Sequence, residues 1–542
     1  MTATAIDAGD GLPLTIPALL RARVAARGAS VLLACDDDVL TWAEAERRSA
    51  ALARGLLAAG AGPGTRIGLL FPNGSAFVAG WLAAARIGAT SVPLSTFSTP
   101  TELRVLLRNA DVALLLSASS YRSHDYAATL RDAVPELDLA SAPPLYADSL
   151  PVLRRIAFVG PGAGIDPAWS TRSLEESGRS IEPSVLEAAE AAVSAGDRMA
   201  IVHTSGSTAE PKGVIHTHGA LIRHLDNLNQ IRGYTPSEVL FSNSPFFWIG
   251  GFAYSLLGTL VAGAKLVCSN AARAADVLDV LERERPTLVN GFAQSVAHLP
   301  HDPSFARRDL SSIRRGNLFP ILPAAVRPKD PDLRHAMLGM TETGSVCLTS
   351  DDESDLPERR RGSFGRPVPG FEAAVVDPDT GAQRGPHEPG ELRLRGPFLM
   401  EGYSGRERHE IFDADGWYRT GDVVHVDEDG FFYFQGRRGD MIKTSGANVS
   451  PREVEAAIHD VTGLTAHVIG LADDARGQLV AAAIRVPPGR VVDEEELRKL
   501  LASRLSAYKV PRRVLLLRDD AVPLLSSGKL DRPALEALFR VG

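Results

Sequence analysis

The segment His203-Thr204-Ser205-Gly206-Ser207-Thr208-Ala209-Glu210-Pro211-Lys212-Gly213-Val214 gathers hydroxyls, glycines and one lysine directly after an apolar strand start, Met199–Val202. Thr204, Ser205, Ser207 and Thr208 offer O–H donors, Gly206 exposes backbone N–H, and Lys212 supplies a cation. Together these are the groups that hold a polyphosphate. Lys212 is followed by Gly213 rather than Ser or Thr, so the segment departs from the ordinary P-loop pattern.

Such a loop needs strands and helices to aim it. The recurrence of Trp42, Ala45, Leu52 and Leu56 predicts a helix over 42–57. RIGLLF at 66–71, closed by Pro72-Asn73-Gly74, reads as a buried strand and turn. Residues 76–87 read as a helix, 89–93 as a strand, and 99–107 as a helix with Pro100 in its first turn. This alternation implies a parallel sheet between helices. From about 365 the pattern changes to short strands (FEAAVVD, GELRLRG, GWYRTGDVVHV, FFYFQGR) separated by DPDTG, DADG and DEDG turns. DEDG at 427–430 reads as a turn, because the remaining spacing of a calcium loop is missing. After Gly436 comes a small α+β tail with strands MIKT, HVIGLA and QLVAAAIRV and a helix over EEELRKLLASRL. Another helix starts at Ser450-Pro451, with Glu453 spaced as in a capping box.

The 542 residues exceed what one core organises, roughly 250–300 residues, so several subdomains are expected. With 44% apolar and 23% charged residues, global disorder is excluded. A net charge of −8 argues against a nucleic-acid partner. Cys35, Cys268 and Cys347 form no CxxC pair, which disfavours a disulfide framework or zinc knuckle and fits a reducing cytoplasm. The sequence carries neither a signal-peptide pattern nor an apolar run of about 18 residues, so no membrane span is expected.

TSGSTAEPKGV resembles the phosphate loop of the adenylate-forming superfamily, which includes acyl-CoA synthetases, luciferases and peptide-synthetase adenylation domains; acyl-CoA synthetases are the nearest members. Leu338-Gly339-Met340-Thr341-Glu342 resembles its second nucleotide motif, and Tyr418-Arg419-Thr420-Gly421-Asp422 its ribose motif. Gly436-Arg437 resembles the hinge entry, Ser445-Gly446 to Glu455 the start of the mobile domain, and Ser527-Gly528-Lys529 the catalytic-lysine motif.

The resemblance implies an α/β fold with a large N-terminal domain (1–436) of layered αβ sheets and a strand-rich subdomain. A hinge (437–440, pivot Gly439) would lead to a mobile C-terminal α+β domain (441–542). It implies nucleotide contacts from Thr204, Ser205, Gly206, Ser207, Thr208 and Lys212, from Asn317, Leu318 and Phe319, from Leu338, Gly339, Met340 and Thr341, and from Asp422, Phe434 and Arg437. Glu342 would hold Mg²⁺, Thr341 the α-phosphate, and Asp422 the ribose hydroxyls. Lys529 would bridge substrate carboxylate and α-phosphate, where charge crowds as the carboxylate attacks. After rotation of the small domain, Lys443, Ser445 and Gly446 would serve the coenzyme A step. The reaction implied is acid plus ATP to acyl-AMP and pyrophosphate, then thioester formation with release of AMP. His203, His216, His218 and His224 then need no metal.

The acyl pocket is expected along Ser244–Phe252, chiefly Phe247 and Trp248, with Gly291, Phe292 and Gly316. An apolar, aromatic wall suits a hydrophobic acid. No aspartate is placed to anchor an α-amino group. Four positions depart from the family pattern: Ala209 for Gly, Leu338 for an aromatic, the bulky 316–320 stretch, and Gly439 at the hinge. Three of them surround ATP, which leaves open a variant that thioesterifies a preformed adenylate. A ligase passing the acyl group to an amine or carrier protein, and a non-catalytic nucleotide-binding scaffold, stay open as well.

Overall fold

The computed structural model describes residues 11–160, 162, 164–204, 211–437, 441–487, 490–518, 521–523 and 530–541. The chain divides into two compact units. One is built from residues up to Thr96, Leu107–His203 and Gly213–Gly436; the other holds Phe97–Leu106, Thr204–Lys212 and Arg437–Gly542.

Two αβ sheets dominate the first unit. The seven-stranded sheet runs Gly402–Tyr403, Lys212–Thr217, Arg198–Thr204, Thr90–Pro93, Arg66–Leu70, Leu114–Ala118, Arg155–Val159. Its pairings from Thr90–Pro93 to Arg155–Val159 are parallel, as the alternation of elements implies. The six-stranded sheet runs Arg315–Gly316, Leu288–Val289, Val239–Phe241, Lys265–Cys268, Val31–Cys35, Asp38–Thr41, parallel except for the last hairpin. Cys35 and Cys268, far apart in sequence, are register partners there, and both are buried.

Helix Ser75–Arg86 packs on strands of both sheets. Its sequence SAFVAGWLAAAR is apolar on every side, as a helix between two sheets must be. Phe77 and Trp81 from this helix meet Phe246 and Phe252 edge-on, which ties it to the segment expected to line the acyl pocket. Helix Trp42–Ala58 buries Trp42, Ala45, Leu52 and Leu56 as their spacing predicts. It starts on a complete capping box between Thr41 and Glu44.

A four-stranded antiparallel sheet (Glu372–Val376, Gly390–Arg395, Tyr418–Val426, Phe432–Arg437) forms the strand-rich part, with a separate three-stranded sheet of Leu338–Met340, Ser345–Thr349 and Arg366–Pro367. At the DEDG turn, Asp427 Oδ1 accepts from the Asp429 and Phe431 N–H groups, and Arg360 bonds both Asp427 and Asp429.

The second unit has a five-stranded sheet in which Ala447–Val449, Ile442–Thr444, Gly477–Arg485 and Ala466–Asp473 neighbour one another in that order, and Arg513–Leu517 joins Gly477–Arg485 in parallel. Helix Pro451–Thr462 begins at Ser450, whose hydroxyl accepts from Glu453 N–H. Only that half of the expected capping box forms. The Glu453 carboxylate instead binds the Lys509 ammonium at 2.7 Å, an ion pair between a buried lysine and a half-buried glutamate.

Candidate functional site

Thr341 and Glu342 sit on a tight turn, Thr341–Thr343, between antiparallel strands Leu338–Met340 and Ser345–Thr349. Thr343 Oγ1 donates to the Ser345 carbonyl at 2.6 Å and closes the turn. Gly339 is dictated by contact: a Cβ there would lie 2.5 Å from Ser345 O.

Three residues outside the motif hold this turn. His216 Nε2 lies 2.7 Å from the Thr341 carbonyl, so that nitrogen carries the proton and donates. The Tyr403 hydroxyl donates to Glu342 Oε1 at 2.7 Å and pairs with the Tyr418 hydroxyl at 2.9 Å. Strand pairing of Val214 with Tyr403 places that tyrosine, so strand Lys212–Thr217 also sets the partner of Glu342. Glu342 is 5% exposed, and a carboxylate so buried needs such a charge-assisted bond. Tyr403 uses one of the roughly four lone-pair positions of the carboxylate. Sequence reasoning missed Tyr403 and Tyr418 as supports; it singled out His216 only as part of a histidine cluster. Burial pushes the imidazoles of His203, His216 and His218 down to about 4 and that of His224 to about 3, so all four are neutral.

Asp422 lies buried on strand Tyr418–Val426. Thr420 Oγ1 accepts from the Asp422 N–H at 3.0 Å and donates to the Leu392 carbonyl at 2.8 Å. Burial first, and the Asp422 charge second, push the Cys347 thiol up to about 12. Cys347 Sγ donates to the Leu338 carbonyl. Asp422 therefore lies within electrostatic reach of Cys347, on the strand that pairs with Leu338–Met340. Leu338 is itself buried, and Met340 is half-buried. Phe434, on the next strand, packs against Phe364 with ring centroids 6.0 Å apart.

The expected acyl-pocket residues gather at the carboxyl ends of three adjacent parallel strands, Arg315–Gly316, Leu288–Val289 and Val239–Phe241. Ligands of open αβ sheets bind at such strand ends. Gly316 has φ +131°, and a Cβ there would lie 1.9 Å from Val289 O, so only glycine fits. Asn317 Nδ2 donates to the Gly291 carbonyl at 2.9 Å, and its Oδ1 accepts from the Gly291 N–H at 3.0 Å. Its amide is thus engaged at both ends in bracing Gly291. Leu318 is fully buried in a cluster with Phe241, Val289 and Ile321, and Phe319 packs against the same cluster. Trp248 meets Phe247 edge-on at 5.5 Å and Phe292 at 5.8 Å. Trp248 leads into a π-helical stretch, Gly250–Leu257, a wide-turn geometry frequent at functional sites.

Thr204 ends strand Arg198–Thr204 and Lys212 begins strand Lys212–Thr217, both half-buried. Ser205, Gly206, Ser207, Thr208 and Ala209 lie outside the described residues, as do Gly439 and Lys529 and the side chain of Arg437. In the second unit Lys443 is exposed on strand Ile442–Thr444, and its N–H donates to Gln478 Oε1 at 2.7 Å. Ser445 (φ +50°) and Gly446 (φ +83°) form the two-residue hairpin turn after it, the positive-φ pair that matches strand twist. No described helix is long and apolar enough to cross a membrane.

Layered αβ sheets, a strand-rich part, and a Thr-Glu turn braced by strand Lys212–Thr217 are the architecture of a ligase that activates its substrate with a nucleotide. The AMP-binding enzyme family model matches residues 20–404, and that of the AMP-binding enzyme C-terminal domain matches 453–529. The chain belongs to the AMP-binding enzyme family and is an AMP-forming ligase of the adenylate-forming group. It is 31% identical over 501 residues to a feruloyl-CoA synthase of Amycolatopsis sp, covering 91% of this chain and 92% of the relative. It is 29% identical over 517 residues to the medium-chain acyl-CoA ligase ACSF2 of Rattus norvegicus, covering 91% and 82%. In structure it resembles the amide bond synthetase McbA of Marinactinospora thermotolerans, with TM-score 0.76, 26% identity and coverage of 96% and 99%.

Proposed function

We propose that the protein is a cytoplasmic acyl-CoA synthetase that activates a hydrophobic carboxylic acid as its acyl adenylate and transfers the acyl group to coenzyme A. The observation that carries the reading is the buried Glu342 carboxylate, gripped by Tyr403 on the turn that presents Thr341. A carboxylate next to a threonine hydroxyl is the hard oxygen donor set that Mg²⁺ takes, so Glu342 fits as its ligand. When bound, the ion neutralises phosphate charge. The Thr341 hydroxyl donates to the α-phosphate, and Asp422 accepts from the ribose hydroxyls. Trp248, Phe247 and Phe292 supply an apolar wall for the acyl group, and Gly291 and Gly316 leave it room.

In the first half-reaction a carboxylate oxygen bonds to the α-phosphorus and pyrophosphate leaves. Lys529 stabilises the charge that develops there. In the second, the thiol of coenzyme A attacks the acyl carbon and AMP leaves, with Lys443, Ser445 and Gly446 on the thiol side. Gly439 serves as the pivot between the two.

The test is pyrophosphate–ATP exchange across a panel of acids, followed by mass detection of the acyl thioester. Acid-dependent exchange and thioester are the expected result. Thioester formation from synthetic acyl adenylate without exchange would mean that the chain has lost the ATP half-reaction. The likeness to McbA favours a second reading, in which an amine takes the acyl group. Amide in place of thioester, with coenzyme A and amine both present, would establish it.

A further inference from the structure

Asn290 follows directly on strand Leu288–Val289 and precedes Gly291, at the strand ends where the acyl group is read to lie. It is 6% exposed. Its Nδ2 donates to the Tyr254 hydroxyl at 3.4 Å, and that hydroxyl donates on to Met337 Sδ at 3.5 Å. With the tyrosine proton committed to sulfur, Asn290 Oδ1 is the free end of the amide, a buried acceptor without a partner among the described residues. A leucine would fill the same volume with no polar atom to satisfy; an open buried acceptor is costly unless a donor arrives.

Space is available at two glycines of the expected acyl segments. A Cβ on Gly291 would meet nothing closer than Ser244 Oγ at 3.5 Å, and one on Gly250 would meet nothing within 4 Å. Trp248, Tyr254, Phe292 and Met337 are each half-buried. The edge-on Trp248–Phe292 pair offers flat aromatic surface, while Ser242 and Ser244 add hydroxyls near Gly291. The region therefore combines aromatic surface with hydrogen-bonding groups.

Resting on the acid-activating reading above, we infer that the substrate is an aromatic carboxylic acid bearing a ring hydroxyl or amino group, and that Asn290 Oδ1 accepts its hydrogen bond. Asn290 is then a specificity residue, and Tyr254 positions it.

The test uses benzoic and cinnamic acids carrying hydroxyl, amino or size-matched methyl groups at each ring position. Calorimetry without ATP compares their binding to the native protein and to Asn290→Leu. At one ring position, the native protein binds the hydroxyl or amino acid about 10–100-fold more tightly than its methyl match, the range for a buried polar group left unpaired. Asn290→Leu removes or inverts that ratio. Equal or tighter binding of the methyl acid, a ratio unchanged in Asn290→Leu, or no binding of any of these acids overturns the inference. The native comparison stands even where the variant fails to fold. Pyrophosphate exchange with the same acids separates the two readings. Binding with donor preference but no exchange removes the ligase assignment alone, and exchange without donor preference removes this inference alone.

Discussion

Glu342 depends on a residue that its motif does not contain. Tyr403 donates to it from 61 positions away, and His216 holds the Thr341 carbonyl from 125 away. Tyr403→Phe keeps the ring and removes one hydrogen bond to a buried charge, which costs about 1.5–3 kcal/mol. The expected outcome is a fall of about 10–100-fold in kcat/KM for acyl-adenylate formation, with half-maximal rate displaced to higher Mg²⁺, read by exchange over a Mg²⁺ titration. Unchanged kinetics would remove Tyr403 from the support of the turn. The contrast shows what was legible. Thr341, Glu342 and Asp422 stand out in the sequence because their motifs are contiguous. Tyr403 and Tyr418 do not, since their meaning comes from a strand pairing that nothing local encodes. Asn317 shows the converse: it is expected at the nucleotide although its stretch departs from the family pattern, and only the fold shows its amide bracing Gly291.

At the scale of elements, hydrophobic periodicity located the helix Trp42–Ala58 and the strands Arg66–Leu70 and Gly390–Arg395, because burial on one face or both writes itself into local sequence. The loops at the strand ends leave no such signal, since long-range hydrogen bonds set their shape. Asn317→Ala removes both bonds to Gly291. The acid KM is expected to rise about 10-fold, with ATP affinity by calorimetry unchanged; a fall in ATP affinity instead would make Asn317 a nucleotide contact. The histidines around strand Lys212–Thr217 and helix His218–Ile231 give this layer a pH dependence. Their folded values, about 3 to 4, lie below the roughly 6.5 of an unfolded chain. Below pH 6.5 the unfolded chain therefore takes up protons that the folded chain refuses. Stability should be level above about pH 7 and fall as pH drops toward 4, each histidine contributing about 2 kcal/mol between pH 7 and 5. His224 stacks on Phe398 and meets Phe371 edge-on. His224→Phe keeps those contacts and should raise the denaturant midpoint relative to the native protein at pH 5 but not at pH 8. The same difference at both values would point to packing, not protonation.

For the whole molecule, the proposed two-step reaction demands two charge arrangements around one acyl group. Adenylation needs a cation where negative charge gathers on the α-phosphate, whereas thioester formation needs access for a thiol to the acyl carbon. The sequence places candidate lysines for both steps after Gly436, at 529 and 443, and the compact units also part at Gly436. If Lys529 acts only on the first step, Lys529→Ala should lower pyrophosphate exchange by about 10²–10³, as for loss of one placed transition-state donor. Thioester formation from synthetic acyl adenylate and coenzyme A should stay within about 3-fold of native, since a barrier change under 1 kcal/mol gives no more. Lys443→Ala should do the reverse. The crossed pattern distinguishes a chain that presents different residues at each step from one with a single fixed site, in which either substitution would slow both. Loss of both half-reactions in Lys529→Ala, with an unchanged melting temperature, would rule out the division of labour.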